Sequence, residues 1–195
     1  MIILDIEASG VDEVKHSILS IGALDFDHPE NQFYGECRVW TGAHIMTEAL
    51  AVNGFTEEQV NDEKKQTEGD LVKTFMEWTE KIEERTIGGQ NPSFDRDFAM
   101  RASGRAGLNW TLAFRTIDLH SVAYTHMVKR GIKPPVTNNH SGLNSEAIMT
   151  YVGIPVEPHP HNALNGAKQA AEALARLLYN RKLLPEYEKF EMPFK

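Results

Sequence analysis

Apolar residues come early in three short runs. Residues 1–8 are apolar except at Asp5 and Glu7, and residues 18–26 and 32–40 have the look of two further strands. The Asp27-His28-Pro29-Glu30-Asn31 segment between the latter two is rich in turn formers. Three strands in sequence predict an antiparallel meander. After Thr47 the period changes: Leu71, Phe75, Trp78 and Ile82 fall at spacings of three and four, which predicts a helix over 70–84. Residues 86–89 are a short strand candidate. Helices are predicted over 93–105, 118–130, 142–152 and 163–179, with 133–140 as an exposed loop. A meander followed by alternating strand and helix predicts an α/β domain built on a mixed sheet.

Composition narrows this further. With 195 residues and 41% hydrophobic content, the chain suits one domain spanning 1–195, with no repeat or low-complexity tract. A formal net charge of -8 argues against a broad basic surface for gripping long duplex nucleic acid. Any nucleic-acid partner must be held locally. A lone Cys37 cannot form an internal disulfide, and no apolar run approaches the roughly 18 to 20 residues of a membrane span. The expected setting is the cytoplasm, without membrane contact.

Candidate chemistry begins inside the first strand. Asp5 and Glu7 stand two residues apart, so their carboxylates share a face, roughly 7 Å apart, and repel unless a cation lies between them. Taken alone, such a pair also fits a solvated strand end. Asp95 follows Gly89-Gln90-Asn91-Pro92-Ser93-Phe94 in the first turn of a predicted helix capped by Ser93, where a carboxylate also suits the helix dipole. His161 and Asn165 open the last helix four residues apart, and they overlie one another if helical geometry starts there.

Together, Asp5-Ile6-Glu7, Asn91-x-x-x-Asp95 and His161-Asn162-Ala163 resemble, in order, the motifs of the DEDDh exonucleases, the superfamily of bacterial proofreading subunits, RNase T and oligoribonuclease. The segments Ile6-Glu7-Ala8-Ser9-Gly10, Ile18-Leu19-Ser20-Ile21-Gly22-Ala23 and Val52-Asn53-Gly54-Phe55-Thr56 are similar to three more of its elements, so the resemblance spans nearly the whole chain. It implies an RNase H-like five-stranded mixed sheet flanked by helices, and 3′→5′ hydrolysis of single-stranded DNA or short RNA using two Mg²⁺ or Mn²⁺ ions. It also implies metal ligands at Asp5, Glu7 and Asp95, a general base at His161, and substrate contacts at Ser9, Gly10, Phe55, Asn91 and Phe94.

Ser9 and Gly10 also suit a turn, and Phe55 and Phe94 also suit a core. At Asn165 the chain departs from the pattern of the family it resembles, which requires Asp. Asn keeps the shape and loses the charge, which implies an exonuclease weakened or inactivated at that metal ligand, by engineering or by nature. The alternative is a catalytically silent nucleic-acid-binding module of the same fold. The sequence leaves a homo-oligomer open.

Overall fold

A computed structural model describes residues 1–194. Its elements run β1 (Ile2–Ala8), β2 (Ile18–Asp25), β3 (Gln32–Glu36), α1 (Thr47–Asn53), α2 (Glu57–Val60), α3 (Glu68–Thr79), β4 (Ile87–Gly89) and α4 (Pro92–Arg105). They continue with β5 (Thr116–Asp118), α5 (Leu119–Lys129), β6 (Val136–Thr137), β7 (His140–Ser141), α6 (Ser145–Val152) and α7 (Ala163–Tyr179). The main sheet has the order β3-β2-β1-β4-β5, with an antiparallel meander on one side and parallel strands on the other. The expected five-stranded mixed sheet flanked by helices is therefore present.

The period of β1 sorts its residues between two cores. Ile2, Leu4, Ile6 and Ala8 pack with Leu71 and Phe75 of α3 and Phe98 of α4, while Ile3 packs with Leu119 of α5, Ile148 of α6 and Leu174 of α7. Asp5 and Glu7 share the parity of Ile3, so they stand on the face covered by α7. Helix α7 sits very close to the sheet. A Cβ at Gly22, the residue paired with Asp5 across β1 and β2, would overlap the backbone of Ala163 and Leu164. Glycine at position 22 is thus what lets the first turn of α7 lie on the strand.

Several details differ from the sequence-based expectation, among them that the helix expected over 70–84 is α3, ending at Thr79. Strand β3 stops at Glu36 rather than 40, because Arg38 and Val39 donate to Gln66 and Val60 carbonyls instead of continuing a ladder. Residues 116–118 form the edge strand β5, so Asp118 ends a strand and caps the helix that was predicted to begin with it. The loop over 133–140 holds part of a small hairpin, closed by Asn138 and Asn139 at positive φ, a conformation that asparagine tolerates in tight turns. Helix α4 is entered through Asn91 at φ 52 with Pro92 following, so Asn91 rather than Ser93 is the cap residue. Among the described residues no helix is long and apolar enough to cross a membrane.

Candidate active site

The cleft forms where the parallel ladder runs out. Strand β4 pairs with β1 only through Ile2 and Ile3 and then turns away at Asn91, which leaves the β4-facing amide of Ile6 without a strand partner. Asp95, in the first turn of α4, supplies one: its Oδ1 accepts from the Ile6 amide at 2.9 Å. A buried carboxylate from α4 is thereby fixed beside the strand that carries Asp5 and Glu7.

Asp5, Glu7 and Asp95 line a cleft of about 240 Å³ together with His161, Gln90 and Glu157. No Lys or Arg stands among the residues lining it. Burial and the neighbouring carboxylates Asp95, Glu7 and Glu157 hold the Asp5 carboxyl well above its usual range. Burial, and then Glu157, push Glu7 up to about 7. Asp95 is also raised, by burial and by Glu7, against the opposing pull of its hydrogen bond from Ile6. All three shifts point the same way, and their causes are burial and the crowding of carboxylates with no Lys or Arg beside them. A wider groove of about 400 Å³ between β5, α5 and α7 is mostly apolar and gathers no such cluster.

Glu157 is the residue that sequence reasoning missed. It lies in the Pro-rich loop before α7, with its side chain 12% exposed. Its Oε1 accepts from the Asn162 amide at 2.9 Å, and its Oε2 is 4.0 Å from His161 Nδ1. The only available sequence signal was an acidic residue four positions before the histidine, between Val156 and Pro158. His161 is itself held by its amide, which donates to the Val52 carbonyl, and its imidazole is 35% exposed at the mouth of the cleft.

The placement of Asn165 corrects the sequence reading. Helix α7 begins at Ala163 and its cap is Asn162, whose side chain accepts from the Leu164 and Asn165 amides. His161 therefore precedes the helix, and four-residue stacking with Asn165 does not apply. Asn165 is exposed and does not line the cleft. Gly166 faces Asp5 instead, so closely that a Cβ there would overlap Asp5 Oδ2.

The remaining candidates separate in the same way. Ser9 is fully buried, with its Oγ donating to the His44 carbonyl and accepting from the Ser17 amide, so its hydroxyl holds a loop and is not free for substrate. Gly10 packs against the His16 ring, where a Cβ would overlap it. Asn91 and Phe94 do line the cleft, and Phe94 leans on Phe98 with ring centroids 4.7 Å apart. Phe55 lies in an adjoining hollow of about 220 Å³ that shares His161 with the cleft, and the Lys65 ammonium sits 4.9 Å from its ring centroid.

The donors suit a hard divalent cation. They are carboxylate oxygens with one imidazole at the rim, and the Gln90 Oε1 is buried without a hydrogen-bond partner. Among the described residues no three His, Cys, Asp or Glu side chains form a ready coordination shell, so the fit lies in donor chemistry and placement rather than in a closed cage.

No protein-family model matches the sequence, and no curated protein matches it. Solved structures do. Cell-death related nuclease 4 is 16% identical with a TM-score of 0.71, over 93% of this chain and 64% of that one. The nuclease domain of 3′hExo, a DEDDh family member bound to rAMP, is 17% identical with a TM-score of 0.69, over 97% of this chain and 94% of that one. The zinc-bound complex of E. coli Exonuclease I with single-stranded DNA is 18% identical with a TM-score of 0.73; 92% of this chain matches 40% of that protein. The chain thus spans less than two thirds of cell-death related nuclease 4 and of Exonuclease I, and nearly all of the 3′hExo domain. These likenesses, together with the sheet order and the placement of Asp5, Glu7 and Asp95, give the chain the DEDDh-type exonuclease fold.

Proposed function

We propose that this protein is a divalent-metal-dependent 3′→5′ exonuclease, acting as one domain over 1–195 on the 3′ end of single-stranded DNA or short RNA. The observation that carries the reading is the cleft itself: four carboxylates converge on it, three of them with raised affinity for protons, and no Lys or Arg lines it. Two Mg²⁺ or Mn²⁺ ions held by Asp5, Glu7 and Asp95 would supply an activated water and neutralise charge on the attacking and leaving oxygens.

The protein's own groups do the rest. His161, half-exposed at the cleft mouth, takes the proton of the attacking water. Phe55 offers its ring to a terminal base one hollow away, and Asn91 and Phe94 border the cleft where the sugar and phosphate would lie. Binding of rAMP by the 3′hExo domain and of single-stranded DNA by Exonuclease I supports a single-stranded end as substrate. Gly166, where α7 faces Asp5 without a carboxylate, favours one competing reading, a silent nucleic-acid-binding module.

Matched DNA and RNA oligonucleotides carrying a 5′ label, incubated with Mg²⁺ or Mn²⁺, separate the two. The enzyme should shorten them from the 3′ end as a ladder that EDTA abolishes, and His161→Ala should slow this by roughly 10²- to 10⁴-fold. Binding without cleavage establishes the silent module, and cleavage of closed circular DNA rejects the exonuclease.

A further inference from the structure

Helix α7 contributes no carboxylate to the cleft. Gly166 occupies the place facing Asp5 and has no room even for a Cβ unless Asp5 moves, and Asn165 lies outside. A fourth carboxylate is nonetheless present, brought in by the loop that precedes the helix. Glu157 is largely buried, lines the cleft with Asp5, Glu7 and Asp95, and is anchored through Oε1 by the amide of Asn162, the cap residue of α7.

A capping role alone does not explain this residue type. An uncharged acceptor such as Gln would receive the Asn162 amide equally well, without adding negative charge to three carboxylates that no Lys or Arg neutralises. Gln90, which lines the same cleft, has a buried Oε1 without a hydrogen-bond partner, a second oxygen free to meet a positive charge. We propose that Glu157 is the fourth acidic ligand of the metal site, supplied from the loop 153–162 in place of a residue on α7. The inference rests on the exonuclease reading and names the residue that makes its site complete.

Mn²⁺ binding, measured by calorimetry on the full chain, tests it apart from activity. Glu157→Gln should fold normally, because the amide oxygen can still accept from Asn162, and should weaken Mn²⁺ by roughly tenfold or more. Glu157→Asp, which keeps the charge, should retain more of the affinity than Gln does. On the unaltered protein, Mn²⁺ should protect Glu157 from carbodiimide modification read by mass spectrometry, a measurement that stands even if the Gln variant fails to fold. Equal Mn²⁺ affinity in the Gln variant and the parent overturns the assignment, even if cleavage slows, because Glu157 would then only orient His161. So does an absence of protection. Failure of the parent itself both to bind Mn²⁺ and to cleave sinks the underlying exonuclease reading instead.

Discussion

Glu172 is fully buried and the carboxylates of the cleft are buried or half-buried, and the chain treats them in opposite ways. Glu172 is fully buried on α7 and meets Arg176 at 2.7 Å, while its other oxygen accepts from the amides of Leu183 and Leu184. Arg176 spends its remaining donors on the carbonyls of Val152, Glu191, Tyr187 and Phe190, so every part of the pair is satisfied and the C-terminal segment is tied to the helix. Glu68 repeats the arrangement, held by Arg105 through both oxygens and by Ser17 and Ile18. Asp5, Glu7, Asp95 and Glu157 share one cleft with no arginine or lysine on its walls. Charge that is fully paired serves architecture, and carboxylates gathered with no Lys or Arg beside them are what the proposed metal ions would neutralise.

Breaking the paired region should have the largest effect. Arg176→Met strands the Glu172 carboxylate in the core, and chemical denaturation should show a loss of about 3–5 kcal/mol. An unchanged midpoint would mean that the pair contributes nothing and would remove one side of the contrast.

The unpaired region should show itself through pH. The Glu7 carboxyl is raised from 4.5 to about 7 in the folded protein, so folding takes up protons there. Its stabilising contribution is full below about 4.5 and is lost as pH rises through about 7, and the raised Asp5 and Asp95 carboxyls act in the same direction. In EDTA the melting temperature should therefore fall by a few degrees between about pH 5 and about pH 8, and Glu7→Gln should flatten that slope. A slope of the same size in the variant would place its origin elsewhere.

Asn165→Asp should do least. The side chain is exposed and outside the cleft, so cleavage rate and Mn²⁺ affinity should stay within about twofold of the parent. A gain of orders of magnitude would return residue 165 to the metal site.

How far the sequence foretold this depends on how locally each feature is encoded. Asp5 and Glu7 were legible because strand geometry alone puts residues two apart on one face, and the sheet then needed only Gly22 to admit α7. Asp95 was legible as a first-turn carboxylate, although its hydrogen bond to Ile6 depends on β4 ending early, which no local pattern announces. Residue 165 was read onto the cleft because the helix starts after its cap, at Ala163, so counting helical turns from His161 gives the wrong face. Glu157 was missed because its position four residues before His161 is a weak signal and its place in the cleft is set by how a Pro-rich loop folds back on the cap of α7. Ser9 looked free beside a glycine, yet its hydroxyl is used twice by a loop 35 residues away in the chain and another 8 away.

The contrast between paired and unpaired charge is tested most directly by thermal unfolding of the unaltered protein, in Mn²⁺ and in NaCl of equal ionic strength. A cation bound at about 100 times its Kd stabilises the folded state by about 2.7 kcal/mol, which for a chain of this size raises the melting temperature by roughly 5 to 10 °C. That rise is predicted in Mn²⁺ and not in NaCl. Identical melting temperatures in the two salts would contradict the assignment of the cleft as a divalent-cation site.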